Sequence, residues 1–315
     1  MVVVFGSLNA DLVARVKHLP REGETQSAPD YAVHAGGKGA NQALAARRAG
    51  ADVALVGAVG SDGFADVALA TLRDAGVDLS GVAVSPRPTG VALIHVDGQG
   101  RNTITVVTGA NADARDVAVA DALLGPTSTV VLQLEVPAAE VMALAKRAHA
   151  RGSRVILNAA PPSPLPDALL DAVDVLVANE HEAAIVARDA GLTSDPAAFC
   201  AAAADRWTLA AVVTLGADGL VAADAAHRYR LPATPVDVRD TTAAGDAFVG
   251  ALAASLDRGA SLADALAEGV AAGSHACTRD GAQPSIVPRE QWLGRAREVA
   301  AASTVESRRP PPLHG

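Results

Sequence analysis

Aromatic side chains are scarce in this chain, with four Phe, two Tyr and two Trp among 315 residues. Half of the residues are nevertheless apolar. Ala, Val and Leu must therefore do most of the packing, and the length allows one sizeable domain or two small ones. Cysteine is nearly absent. Cys200 and Cys277 have no CxxC spacing, which excludes a disulfide framework and leaves two packed thiols. Positive charge is in deficit: 26 Lys and Arg against 35 Asp and Glu give a net charge of −9. Nucleic acid and anionic membranes need a basic face and are disfavoured as general partners, although a local pocket can still hold an anionic substrate. No stretch approaches the roughly 20 uncharged residues that span a bilayer. The opening MVVVFGSLNADLV has no basic leader and only a short apolar run. The expectation is a soluble, cytoplasmic protein.

Several catalytic signatures are missing as well. Gly37-Lys38 is followed by Gly39, and Ala32 stands where a P-loop has its first glycine. VGAVGSDG offers glycines only at 57, 60 and 63, so the dinucleotide GxGxxG fails. His181-Glu182 lacks a second histidine at Ile185, which excludes a zinc-protease helix, and no GxSxG is present. A dinucleotide-dependent reductase is excluded on the same grounds.

What is present is a rhythm of short β-branched runs and longer alanine-rich segments. VVVF (2–5), VALVGAV (53–59), TVVLQLE (129–135), VILN (155–158), VLVAN (175–179) and AVVTLG (211–216) read as buried strands. Helices are expected over 41–49, 63–75, 137–151 and 180–190, each stopped by a glycine. Continuous apolar strands alternating with helices predict a mainly parallel sheet covered on both faces. Past residue 240 the pattern turns to helices alone: AFVGALAASL (247–256) is apolar all round, and Ser261 with Asp264 caps the next. Residues 10–35 and 87–108 break the rhythm. VALIHVDGQGRNTITVV is a hairpin pattern, so these segments are read as a small antiparallel flap beside the main sheet. The whole is read as one domain over 1–303, with a disordered tail over 304–315.

Five stretches carry candidate chemistry. GSLNAD (6–11) follows the first strand, where ligands collect in α/β sheets. Asn9 and Asp11 suit neighbouring sugar hydroxyls, though for this stretch alone a simple Asx turn is the better explanation. In HAGGKGANQ the glycines let backbone approach a ligand, with Asn41 opening a helix; a glycine turn with an Asn cap is the plain alternative. Glu135 ends an apolar run, where a buried acid needs a polar partner. In NEHE, Asn179 and Glu182 lie one turn apart and fit phosphate and hydrated Mg2+, or a simple cap. DTTAAGD (240–246) places Ala243, Ala244 and Gly245, too small to screen their own N–H groups, at the start of a buried helix. Those donors form an anion site, and Asp246 would act there as general base. The alternative is that Asp240 or Thr241 caps the helix and Asp246 only favours its dipole.

Together with PTGVALI, TGANAD, LQLE, TLGADG and TRDGAQPS, these motifs resemble the ribokinase-like carbohydrate kinase family, in the family's order from residue 6 to 285. The resemblance implies a doubly wound α/β fold with a β-flap lid, and a homodimer formed through that lid. It implies phosphorylation of D-ribose at its 5-hydroxyl by MgATP. Another small sugar or a nucleoside is the alternative substrate, and a catalytically silent sugar sensor is disfavoured because base and anion hole are both intact. Asn9, Asp11, Gly37, Lys38, Asn41 and Glu135 match sugar-binding positions, and Asp246 with 243–245 matches the base and anion hole. Asn179, Thr214, Gly216 and Gly219 match the nucleotide side, with Glu182 near Mg2+. Asp240, the carbonyls of Thr242, Ala276, Arg279 and Gly281, and the Ser285 hydroxyl match a K+ site. Where some relatives carry an adenine-contacting histidine, this chain has Val270.

Overall fold

The run VVVF divides its side chains between two cores. Val2 and Val4 join one apolar cluster, Val3 and Phe5 the other, and all four are fully buried. A strand of this kind needs cover on both faces, which helices on each side of a parallel sheet supply. The computed structural model describes residues 1–308. Its strands are β1 (Val2–Phe5), β2 (Asn9–Arg15), β3 (Tyr31–Gly36), β4 (Val53–Val59), β5 (Asp78–Val84), β6 (Gly90–Val96), β7 (Asn102–Val107), β8 (Thr129–Leu132), β9 (Arg154–Asn158), β10 (Val175–Asn179), β11 (Ala210–Thr214), β12 (Leu220–Ala223), β13 (His227–Leu231) and β14 (Thr304–Ser307). Its helices are α1 (Lys38–Arg48), α2 (Gly63–Ala75), α3 (Ala138–Ala150), α4 (Asp167–Leu170), α5 (Glu180–Ala190), α6 (Pro196–Trp207), α7 (Ala244–Asp257), α8 (Leu262–Ala276), α9 (Ala282–Ser285) and α10 (Leu293–Ala302).

The main sheet has ten strands in the order β14-β13-β12-β11-β10-β9-β8-β1-β4-β5. It is parallel from β5 to β11 and antiparallel from β11 to β14. The chain runs outward from β1 in one direction to β4 and β5, then returns to place β8 on its other side. That reversal opens a crevice beyond the carboxyl ends of β1 and β8, the place where such sheets bind ligands. The second sheet, β3-β2-β6-β7, is the lid. Its β6–β7 pair is the expected hairpin, and β2–β3 is antiparallel. The central β2–β6 pair is parallel, so the sheet is two antiparallel ribbons joined side by side.

Several expected boundaries move. The strand from Thr129 ends at Leu132; beyond it Gln133 bonds Gln42 and Glu135 bonds Ser7 and Lys38, all partners outside the sheet ladder. The first helix starts at Lys38 rather than Asn41, with Gly37 in the N-cap position at φ 91°, a region closed to other residues. The segment past residue 240 is not helical throughout. Residues 304–307, expected to be part of a disordered tail, pair with β13 as an edge strand, followed by Arg308 bound to Asp205. The rest of that expectation lies outside the described residues. No helix among the described residues is long and apolar enough to cross a membrane.

Candidate active site

The crevice collects side chains from loops far apart in sequence. Ser7 follows β1, Glu135 follows β8, and Lys38 and Gly39 open α1. The Glu135 Oε2 accepts from the Ser7 hydroxyl at 2.5 Å and from the Lys38 N–H at 3.0 Å, while the Gly39 N–H donates to Ser7 Oγ at 3.3 Å. The half-buried acid thus meets the Lys38 N–H at a helix start, and α1 is tied to β1 and β8. Gly39 has to be glycine, since a Cβ there would stand 2.6 Å from the backbone of Gly6 and Ser7. Asn9 is held by Asn111, whose Nδ2 donates to the Asn9 Oδ1 at 2.7 Å. Asn111 also grips Leu8 through both its N–H and its carbonyl. With its oxygen so used, Asn9 offers the crevice only its N–H groups. Asp11 lies against Gly36, where a Cβ would come within 2.1 Å of its carboxylate.

Asp246 sits in the first turn of α7 and is buried. Asn41 Nδ2 donates to its Oδ2 and Gln42 Nε2 to its Oδ1, both at 2.9 Å. Asn41 is therefore no cap; it sits in the first turn of α1 and faces the acid across the helix interface. Neither Asp240 nor Thr241 caps α7. Ala243 takes that position at φ 60°, a strained left-handed turn for a residue with a Cβ. The Ala244 N–H is drawn to the Thr241 carbonyl at 3.2 Å. Among the described residues, no such partner holds the N–H of Ala243 or Gly245.

The electrostatics concentrate on this spot. Burial pushes the Asp11 carboxyl up to about 7, aided by the negative charges of Glu135 and Asp246. Burial also raises Asp246, against the opposing pull of Lys38, Asn41 and Gln42. Burial alone would lower Lys38, yet the charges of Asp246, Glu135 and Glu182 outweigh it and hold the ammonium above its usual range. One lysine among four acids keeps the crevice poised for an anion that arrives with cations of its own.

Further along the carboxyl edge, Asn179 and Thr214 end neighbouring strands in direct register. Asn179 and Glu182 form a reciprocal capping box at 2.9 Å in each direction, so the cap reading holds. Among the described residues it leaves the Asn179 Nδ2 and the Glu182 Oε1 without a hydrogen-bond partner, and burial raises the Glu182 carboxyl. Gly216 and Gly219 bracket the turn after β11 at φ 57° and 85°. Among the described residues, no group of three or more His, Cys, Asp or Glu could hold a metal. Any Mg2+ would then be held mainly by phosphate and water, the usual arrangement. Val270 is buried in the core.

Behind the start of α7, Asp240 joins two loops. Its Oδ1 accepts from the Thr242 N–H at 2.9 Å and the Thr242 hydroxyl at 2.6 Å, and its Oδ2 from the Gly281 N–H at 2.8 Å. The Ser285 hydroxyl donates to the Ala282 carbonyl, and the Ala276 carbonyl accepts from the Arg279 N–H.

Sequence reasoning missed Ser7, Gln42, Asn111, Gln133 and Asn158. Two of these had a visible signal: Gln133 interrupts an apolar run, and Gln42 adjoins Asn41 in an otherwise small-residue helix.

Comparison with known proteins adds to this geometry. Residues 1–289 match the profile of the pfkB family carbohydrate kinases. The chain is 34% identical over 297 residues to the ribokinase of Haemophilus influenzae, covering 93% of this chain and 97% of that one. Among solved structures, the ribokinase of Thermotoga maritima superimposes with a TM-score of 0.87 at 32% identity, over 94% of this chain and 99% of that one. The Arabidopsis thaliana ribokinase in complex with ribose and ATP gives 0.83 at 32% identity, over 94% and 98%.

Proposed function

The chain belongs to the pfkB family of carbohydrate kinases, and on that premise we propose that it transfers the γ-phosphoryl group of ATP to the 5-hydroxyl of D-ribose. The products are D-ribose 5-phosphate and ADP. The observation that carries this reading is Asp246, a buried carboxylate in the first turn of α7, directly after the Ala243-Ala244-Gly245 turn. The H. influenzae relative and the ribose- and ATP-bound Arabidopsis neighbour favour ribose as the sugar.

In this reading Asn9, Asp11, Gly37, Lys38, Asn41 and Glu135 hold the sugar in the crevice. Asp246 takes the proton of the attacking hydroxyl as the O–P bond forms and ADP leaves. The N–H groups of 243–245, at the positive end of α7, meet the charge that grows on the transferred group. Asn179, Thr214, Gly216 and Gly219 face the nucleotide, and Glu182 would orient water around Mg2+. When bound, Mg2+ neutralises phosphate charge. K+ at Asp240, Thr242, Ala276, Arg279, Gly281 and Ser285 would stiffen the loop that carries the N–H donors. Two chains pair through the lid, and the work is done in the cytoplasm.

An ADP-release assay over pentoses, hexoses and nucleosides with MgATP, with and without K+, tests the reading. Ribose should give the highest kcat/KM, and Asp246→Asn should lower kcat by at least about a thousandfold, with ribose binding little changed. Near-wild-type turnover by Asp246→Asn would remove the base assignment.

A further inference from the structure

Three buried amide side chains form a chain that ends on Asp246. Asn158 Nδ2 donates to the backbone carbonyl of Val177 at 3.3 Å, in β10. Gln42 Nε2 donates to Asn158 Oδ1 at 3.1 Å and to Asp246 Oδ1 at 2.9 Å. Gln133 Nε2 donates to Gln42 Oε1 at 2.7 Å. Gln42 and Gln133 are fully buried, and Asn158 nearly so.

The direction of this chain is not arbitrary. A backbone carbonyl can only accept, so the Asn158 nitrogen must face Val177 and its oxygen must face Gln42. The Gln42 nitrogen must then point to Asn158 and Asp246, and its oxygen to Gln133. A flip of Gln42 would set oxygen against oxygen at two places and nitrogen against nitrogen at the third. The amide is therefore a fixed donor to one oxygen of the acid. Among the described residues, the other oxygen, Oδ2, is bonded only to Asn41. Among the described residues, the Asn41 Oδ1 is itself buried without a partner.

We propose that Gln42 is a positioning residue for the phosphoryl transfer: anchored through Asn158 on the Val177 carbonyl, it holds Oδ1 of Asp246 and leaves Oδ2 as the atom that takes the proton. The inference rests on the assignment of Asp246 as the base. Gln42 touches no reacting atom; it acts by aiming the carboxylate and by stabilising its charged form. The other charged groups that face Asp246 are Lys38 from α1, Glu135 from the β8–α3 loop, Asp11 from β2 and Glu182 from α5. None of these is altered when Gln42 is replaced, so a shift in titration reports the lost amide.

Gln42→Leu should lower kcat roughly 10- to 100-fold, the scale of one lost bond to a buried charge. KM for ribose should stay within about twofold. Asp246 already sits above its usual range, and loss of a donor to the carboxylate raises it further. The acidic limb of the kcat–pH profile should therefore move up by about one pH unit. A measurement independent of turnover is the carboxyl band of Asp246 in infrared difference spectra against Asp246→Asn, which should titrate at the same higher pH. An unmoved limb and band, or a raised KM at wild-type kcat, overturns the proposal. If Gln42→Leu fails to fold, Asn158→Leu is read by the same two criteria, since it unpins the amide and leaves Gln42 in place. A wild-type protein that phosphorylates no sugar would instead defeat the proposed function, and the infrared band would still decide the role of Gln42.

Discussion

At the scale of single residues, the crevice is built against its own stability. Asp11 has no hydrogen-bond partner among the described side chains, lies against a glycine, and titrates near 7 rather than 3.8. An acid whose folded value is raised costs nothing below the unfolded value, where it is protonated in both states. Its penalty grows as pH rises from about 4 to about 7, where the unfolded chain has already ionised. At 1.36 kcal/mol per unit the penalty is at most about 4 kcal/mol. Asp11→Asn, neutral at every pH, should therefore melt above the wild type at pH 8 and close to it at pH 4, by calorimetry at both. The variant should also bind sugar more weakly, because a group placed at such a cost is there for a ligand to meet. Equal melting temperatures at pH 8 would show that Asp11 is not strained. Glu135 makes the contrast: its need for a partner was readable from its place after an apolar run, but Ser7 and the Lys38 N–H that meet it were not. They are separated from it by about a hundred residues of chain.

At the scale of elements, the proposed catalytic contact is a contact between two helices. Asn41 and Gln42 on α1 reach Asp246 on α7 because the helices lie close, and Gly250 is what lets them. A Cβ at Gly250 would stand 2.4 Å from the Ala45 side chain and 2.6 Å from the Gln42 carbonyl. Alanine in a helix is intrinsically better than glycine by about 1 kcal/mol, but overpacking costs about 1–3 kcal/mol and forces the helices apart. Gly250→Ala should lower the melting temperature and reduce kcat at least about tenfold, checked by thermal denaturation and steady-state kinetics on the same preparation. An unchanged kcat would mean that the helix spacing does not set the Asn41–Asp246 and Gln42–Asp246 contacts. The apolar run 247–256 revealed that α7 is buried on all sides. It could not reveal that α1 is the neighbour, since alanine-rich helices of similar pattern occur throughout the chain.

At the scale of the whole molecule, the lid is the part that looks unfinished. The sheet β3-β2-β6-β7 has two free edges, and Tyr31, Ile104, Val106 and Val107 on its outer strands are exposed, as is Leu93 on β6. Free edges and exposed apolar strands invite pairing with a second copy. Sedimentation should find a dimer at micromolar concentration, and Ile104→Lys with Val106→Lys should yield a folded monomer; a monomeric wild type would end the dimer reading. The sequence by itself determined the α/β rhythm, the lid hairpin and the family, because those depend on local periodicity and on short motifs whose order along the chain is directly visible. The tertiary structure alone decided that one edge of the main sheet is antiparallel, that residues 304–307 form its last strand, and that an amide chain from α1, β9 and the end of β8 ends on Asp246. Each of these is a pairing between segments distant in sequence. A side chain's hydrogen-bond partner is set by the fold that brings the two together, and the residue itself carries no mark of it.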